Sequence, residues 1–179
     1  GGGRWSDFRF SPDDRMLVFT EYLSASKSHI WTLNMTSGEK QRITPETKAD
    51  SSTVFYGAPK FSRDGKKLFA VSDRESEHRR LVVIDLATFS ETMLTTKLHY
   101  DVSEYSISTA AKRIAFVTNE EGASVLRFLD LDTFAELPRP ALLPGQISGL
   151  RWRVKFDDDQ PASTVTSEKA EKTQAGAEL

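Results

Sequence analysis

The residues that could do covalent or metal chemistry are few and scattered. Serine hydrolysis on an α/β scaffold needs Gly-x-Ser-x-Gly, because the nucleophile must sit on a strained strand-to-helix turn with its hydroxyl exposed. The nearest string, Gly145-Gln146-Ile147-Ser148-Gly149, puts the serine fourth and reads as a loop entering a strand. The three histidines, His29, His78 and His99, lie in separate segments with no His-x-x-x-His or His-Glu pattern, so metal-ligand spacing is absent. They are expected in loop or surface roles, the alternative being that one faces a central channel. Asp157-Asp158-Asp159 lacks the alternating spacing and later bidentate Glu of a calcium loop and reads as a solvated acidic run. Asn34-Met35-Thr36 is formally a glycosylation acceptor. It sits at a strand end, where related segments carry Asp85 and Asp130, so it reads as turn chemistry; so does Asp130-Leu131-Asp132. With no cysteine, disulfides, thiol catalysis and thiolate zinc sites are excluded. The expected sets of catalytic, cofactor-binding and metal-binding residues are empty, and no cofactor is expected.

The chain that carries these residues has 179 of them, the size of one domain. The formal net charge is −2. The basic pairs Lys66-Lys67 and Arg79-Arg80 are too few and too scattered for a nucleic-acid footprint, so neither nucleic acid nor an anionic membrane is an expected partner. The apolar runs reach only four or five residues, far short of the ~20 of a spanning helix. The first residue is Gly1 rather than Met, with no basic-then-apolar leader after it. The expectation is a processed, trimmed or partial chain, cytoplasmic in preference to periplasmic or secreted.

Three segments repeat. FRFSPDDRMLVFT is followed by HIWTLNMTSGEKQRIT, PKFSRDGKKLFAV by RLVVIDLATFSETMLT, and EYSISTAAKRIAFVT by VLRFLDLDTFAELPRP. The anchors Phe10, Phe61 and Ile107 are spaced 51 and 46 residues; Leu33, Ile84 and Leu129 are spaced 51 and 45. Trp152 lies 45 residues beyond Ile107. Each repeat reads as four short strands, because β-branched and aromatic runs are bounded by Asp, Gly and Ser. In the second repeat the strands are 59–62, 67–72, 80–86 and 91–95. Asp64-Gly65 suits a tight hairpin turn, Pro12-Asp13-Asp14 a type I turn, and Thr109 to Lys112 is a weak turn signal. Four-stranded units at ~40–50 residues are the signature of β-propeller blades.

The expected fold is all-β: a partial β-propeller over 1–156, with three four-stranded antiparallel blades at about 5–45, 56–96 and 103–140. One strand of a fourth blade begins at 146–156, and 157–179 is a disordered polar tail, since it has too little apolar surface to offset ordering entropy. Phe10, Phe61, Ile107 and Trp152 are expected as equivalent buried positions on innermost strands. Val18, Phe69 and Ala115 fall on second strands, and Leu33, Ile84 and Leu129 on third strands. Three blades leave two uncovered faces, so the isolated chain is expected to be weakly folded or aggregation-prone.

Phe10-Ser11-Pro12-Asp13-Asp14-Arg15 through Phe19, with Ile30-Trp31-Thr32-Leu33-Asn34 and Ser37-Gly38-Glu39 after it, resembles the TolB-type (PD40-like) propeller repeat. The stretches 59–88 and 114–152 are similar to blades of bacterial serine peptidases of the prolyl oligopeptidase family. Val117-Thr118-Asn119-Glu120, Gly122, Ser124, Leu126 and then Gly145 to Trp152 carry that likeness, which covers about 5–152. The resemblance implies an N-terminal propeller that restricts access of peptide substrates to an α/β-hydrolase domain with a Ser-Asp-His triad. No triad motif maps onto this chain, and Trp152-Arg153-Val154-Lys155-Phe156 departs from the family pattern. The expectation is a fragment of a substrate-gating propeller, truncated before the catalytic domain and inactive alone. Its implied partners are that missing domain, the remaining blades and the parent's peptide substrate. The competing expectation is a stand-alone TolB-type scaffold for protein partners.

Overall fold

Continuous apolar runs such as Leu68-Phe69-Ala70-Val71 and Leu81-Val82-Val83-Ile84 are what a strand needs when both of its faces are covered. The structure, a computed structural model, describes residues 3–45 and 53–152. The acidic run Asp157-Asp158-Asp159, the expected tail and the end of the expected fourth-blade strand lie outside the described residues.

The described residues form twelve strands: β1 (Arg4–Phe10), β2 (Met16–Ser24), β3 (Lys27–Asn34), β4 (Lys40–Arg42), β5 (Tyr56–Phe61), β6 (Lys67–Ser72), β7 (Arg80–Asp85), β8 (Glu91–Met93), β9 (Val102–Ser108), β10 (Arg113–Glu120), β11 (Ala123–Asp130) and β12 (Glu136–Leu137). They make three four-stranded antiparallel sheets, each in sequence order. This is an all-β partial propeller, as the repeats predict.

The anchors share one rung. Phe10 pairs Leu17 and Leu17 pairs Leu33. Phe61, Leu68 and Ile84 repeat that line, as do Ile107, Ile114 and Leu129. On the next rung Val18, Phe69 and Ala115 are all buried. Register was therefore readable, but burial of the anchors was not: Phe61 and Ile107 are only half-buried, at the margins of the two cores. Phe10 is 56% exposed, because no sheet covers that side of the first blade in the described residues. Trp152 is half-buried outside any strand, donating its indole N–H to the Ser106 carbonyl at 3.1 Å.

The second sheet is sandwiched. Leu68, Ala70, Val82 and Ile84 pack against Val18, Ile30 and Ile43 of the first sheet. Phe69, Val71, Leu81 and Val83 pack against Tyr105, Ile114, Phe116 and Leu129 of the third. Each fully buried aliphatic side chain contributes ~1.5–3 kcal/mol. β7 is accordingly buried along nearly its whole length. β3 is buried only at alternate residues, since among the described residues one side of its sheet has no neighbour and period-2 alternation decides which residues benefit.

The turns repeat as closely as the strands. Asn34, Asp85 and Asp130 each accept two backbone N–H groups on Oδ1: from Thr36 and Ser37, from Ala87 and Thr88, and from Asp132 and Thr133. Such side-chain acceptors are why Asn and Asp favour turns. Four residues on, Gly38, Phe89 and Phe134 all take positive φ, at 74°, 57° and 58°. Glycine accepts this freely and phenylalanine does not. Packing supplies the compensation: Phe134 meets Phe69 of the preceding sheet edge-to-face, with centroids 6.2 Å apart, and Phe89 packs against the core between the first two sheets.

The β1–β2 and β5–β6 connections, expected to differ, are the same turn. Ser11 and Ser62 each donate their hydroxyl to Asp13 or Asp64 and accept the Met16 or Lys67 N–H. Asp14 takes the positive φ that Gly65 takes, so an aspartate fills the glycine's place. The β9–β10 turn departs, with its positive φ at Lys112.

Candidate functional site

The residues singled out for chemistry do not converge. His29 lies on β3 opposite Glu21. Burial, and then the charges of Arg42 and Lys27, lower its imidazole pKa, while Glu21 opposes them. His78 lies in the β6–β7 loop with Nδ1 3.6 Å from an Asp101 carboxylate oxygen. His99 is exposed between the second and third sheets, and Ser148 is exposed in coil. Among the described residues no three His, Asp or Glu side chains could hold a metal. Asn34 is a turn acceptor, as read from its spacing. Lys66 and Lys67 are exposed at the start of β6. Arg80 is not a surface charge: it is 9% exposed, donating to the Ser76 hydroxyl and the Thr95 carbonyl. Its guanidinium closes a loop and is unavailable to a partner.

A polar group does form where the first strands of the three sheets run side by side. Asp7 sits in a β1 bulge with φ 58°. It accepts the Tyr22 hydroxyl at 3.0 Å and the Ala58 N–H at 3.5 Å. Ala58 holds the matching bulge of β5, at φ 52°. Tyr105 of β9 is fully buried and donates its hydroxyl to the Ala58 carbonyl at 2.6 Å and towards the Phe69 carbonyl at 3.0 Å. Lys60 donates to the Tyr105 carbonyl and places its ammonium 4.3 Å from the Tyr105 ring centre. Burial, followed by the charges of Arg9 and Arg151, lowers the Lys60 pKa; Glu104 opposes them. Arg9, Lys60, Ser106 and Arg151 each directly precede an anchor: Phe10, Phe61, Ile107 and Trp152. The repeat period thus held the signal for this row, and a search for catalytic types passed over it.

Residues 139–152 cross the free side of the third sheet. Pro138 stands where Arg42 and Met93 pair in the other sheets. β12 stops at Leu137, and among the described residues the third sheet has no counterpart of the Ile43-to-Ile30 and Leu94-to-Leu81 bonds that extend the fourth strands of the other two. The Ser124 N–H then donates to the Gly145 carbonyl at 2.9 Å, just as Ser28 donates to Val54 at the start of the second sheet. Leu150 donates its N–H to Glu104 at 2.6 Å, and Gly149 takes a positive φ of 73° like Asp7 and Ala58. Residues 147–152 are not a strand in this structure: no second strand is present among the described residues to fix their ladder. Between this crossing and β11 lies a shallow groove of about 410 Å³, walled by Ser124, Leu126, Leu142 and Leu143. Among the described residues neither the polar row nor the groove joins a serine to a histidine.

No protein-family model matches the chain. It is 29% identical over 143 residues to dipeptidyl-peptidase 5 of Porphyromonas gingivalis, a match covering 72% of this chain and 20% of that protein. The chain thus spans about a fifth of the length of this curated relative. Among solved structures it is similar to TolB from Acinetobacter baumannii, with TM-score 0.58 and 18% identity over 75% of this chain and 31% of that one. It is also similar to a puromycin-hydrolyzing peptidase of Mycobacterium tuberculosis, with TM-score 0.62 and 15% identity over 76% of this chain and 22% of that one. The three sheets are blades of the propeller fold that the TolB and peptidase structures share.

Proposed function

We propose that this chain is part of the propeller of a serine peptidase of the prolyl oligopeptidase family, one that restricts which peptides reach a hydrolase domain and does not itself hydrolyse them. The observation that carries this reading is the 143-residue likeness to dipeptidyl-peptidase 5, since a match that long runs through more than one blade. The scattered histidines and the misplaced Ser148 support it: among the described residues no serine hydroxyl is bonded to a histidine imidazole, and the hydroxyls of Ser11 and Ser62 are held by aspartates inside turns, whereas acyl transfer needs an activating base within reach of an exposed nucleophile. The test has two arms. The isolated chain is assayed on chromogenic dipeptidyl and acyl-aminoacyl substrates, and the DNA flanking its coding region is read. No turnover, with a neighbouring frame encoding Gly-x-Ser-x-Gly, is the expected result. Turnover abolished by mutating a serine or histidine of this chain would overturn the reading. A flanking region without any hydrolase would favour the alternative, a TolB-type binding scaffold, which the TolB likeness supports.

A further inference from the structure

Three of the four side chains that directly precede an anchor are basic: Arg9 on β1, Lys60 on β5 and Arg151 in the coil beside β9, whose own position holds Ser106. Lys60 reaches the Tyr105 carbonyl of β9. Arg151 lies between Leu150 and Trp152, which bond Glu104 and Ser106 of β9. Asp7, two residues before Arg9, meets the N–H of Ala58, two residues before Lys60, so that the charges of Arg9 and Arg151 both bear on the Lys60 ammonium. Arg9 is also near enough to Tyr105 for its charge to bear on the phenol. Like charges held together cost free energy unless something neutralises them. Among the described residues no carboxylate lies within ion-pair distance of any of the three.

Two acids are close by, but both serve neutral donors. Asp7 takes the Tyr22 hydroxyl and the Ala58 N–H; Glu104 takes the Leu150 N–H. Lys60 is spent on the Tyr105 carbonyl, and Arg9 turns one nitrogen to the Phe8 carbonyl at 2.8 Å. Arg9 and Arg151 are exposed, so their remaining N–H groups are open to solvent. Three cations against two carboxylates leave one positive charge.

We propose that Arg9, Lys60 and Arg151 form a binding site for a monoanionic carboxylate, such as the free C-terminus of a short peptide. The exposed guanidinium forks suit a planar carboxylate, and the single uncompensated charge suits a monoanion better than a phosphate dianion. The site stands whether or not the chain belongs to a peptidase.

The test is calorimetric titration of the full chain with N-acetyl-dialanine as the free acid and as its amide, and with inorganic phosphate. The acid is expected to bind, with the amide and phosphate weaker by roughly tenfold or more. Arg9→Gln with Arg151→Gln should weaken the acid by a similar factor without lowering the thermal melt, since both side chains are exposed and their removal relieves the like-charge repulsion. The indole N–H resonance of Trp152, next to Arg151, should shift on adding the acid and stay still in the double variant. Absence of binding by the acid, equal binding of acid and amide, phosphate binding as tight as the acid, or unaltered affinity in the double variant would each overturn the proposal.

Discussion

The hydroxyl of Tyr105 lies 2.6 Å from the carbonyl oxygen of Ala58, joining the first strand of the third blade to the bulge in the first strand of the second. A buried phenol with its donor satisfied gives this interface direction as well as apolar area. Burial also raises the Tyr105 pKa far above its usual range, so the bond is present throughout the working pH range. Tyr105→Phe keeps the ring and strands the Ala58 carbonyl. The expected loss is about 1–2 kcal/mol, seen as a Tm lowered by roughly 2–8 °C. An unchanged melt would show that the bond adds nothing.

Thr20 is the opposite case. Its hydroxyl is buried without a partner, and the corresponding positions in the other blades are Val71 and Val117. Thr20→Val should leave the fold intact and raise stability by up to about 1 kcal/mol, because it removes an unsatisfied polar group and keeps the β-branched shape. Denaturant unfolding reads the sign directly.

Phe134 combines backbone strain with a contact between blades. Phe134→Ala loses the contact with Phe69 and keeps the positive φ; Phe134→Gly loses the contact and relieves the strain. The glycine variant should therefore be the more stable of the two, by roughly 1 kcal/mol, reversing the usual preference for alanine. Equal stabilities would mean that the backbone at Phe134 carries no cost.

The turn aspartates predict a pH dependence. Backbone N–H groups of Thr88 and Ala87 hold the Asp85 carboxyl below its ordinary 3.8. The backbone N–H and then the hydroxyl of Thr133 do the same for Asp130, with the Asp132 N–H assisting. A pKa lower in the folded chain than in the unfolded chain adds stability fully above 3.8, and that stability is lost as pH falls through the folded values. The Tm should drop in acid for this reason. Asp85→Asn with Asp130→Asn should flatten part of the drop, because an amide accepts the same N–H bonds without titrating, as Asn34 does in the first blade.

The open side of the first blade predicts self-association. Trp5 packs edge-to-face on Phe19 at 5.1 Å and Phe8 stacks on Phe19 at 5.6 Å, yet Trp5, Phe8 and Phe10 remain 40%, 50% and 56% exposed. Clustered exposed aromatics mark an association surface. Light scattering of the chain should rise with concentration, and Phe8→Ser with Phe10→Ser should suppress the rise. Scattering that is the same in both would place the contact elsewhere.

The architecture was legible because the repeat wrote it three times. Phe61, Leu68 and Ile84 share a rung just as their spacing implies, and Asp85 predicted the turn that it makes. Burial was less legible, because it depends on what stands beside a blade: Phe10 and Phe61 are the same residue in the same register, and only Phe61 has a neighbour on that side. Arg80 escaped a charge-based reading because its partners, Ser76 and Thr95, are distant polar groups with no charge to advertise them. The row Arg9, Lys60 and Arg151 is unremarkable in composition and emerges only when the anchors are used as a ruler.

The brevity of β4, β8 and β12 governs how the molecule can grow. These outermost strands are three, three and two residues long, and the third is followed by Pro138 and Pro140. A short rim with missing amide donors is a poor template for another chain's backbone. Extension in the radial direction is therefore discouraged, while the flank of the first blade, where Trp5, Phe8 and Phe10 are exposed, and the part of the third blade's flank that residues 139–152 do not cross remain available. Further sheets can join only side by side around the axis, so the rim steers this chain towards closing a ring and away from stacking into a fibre.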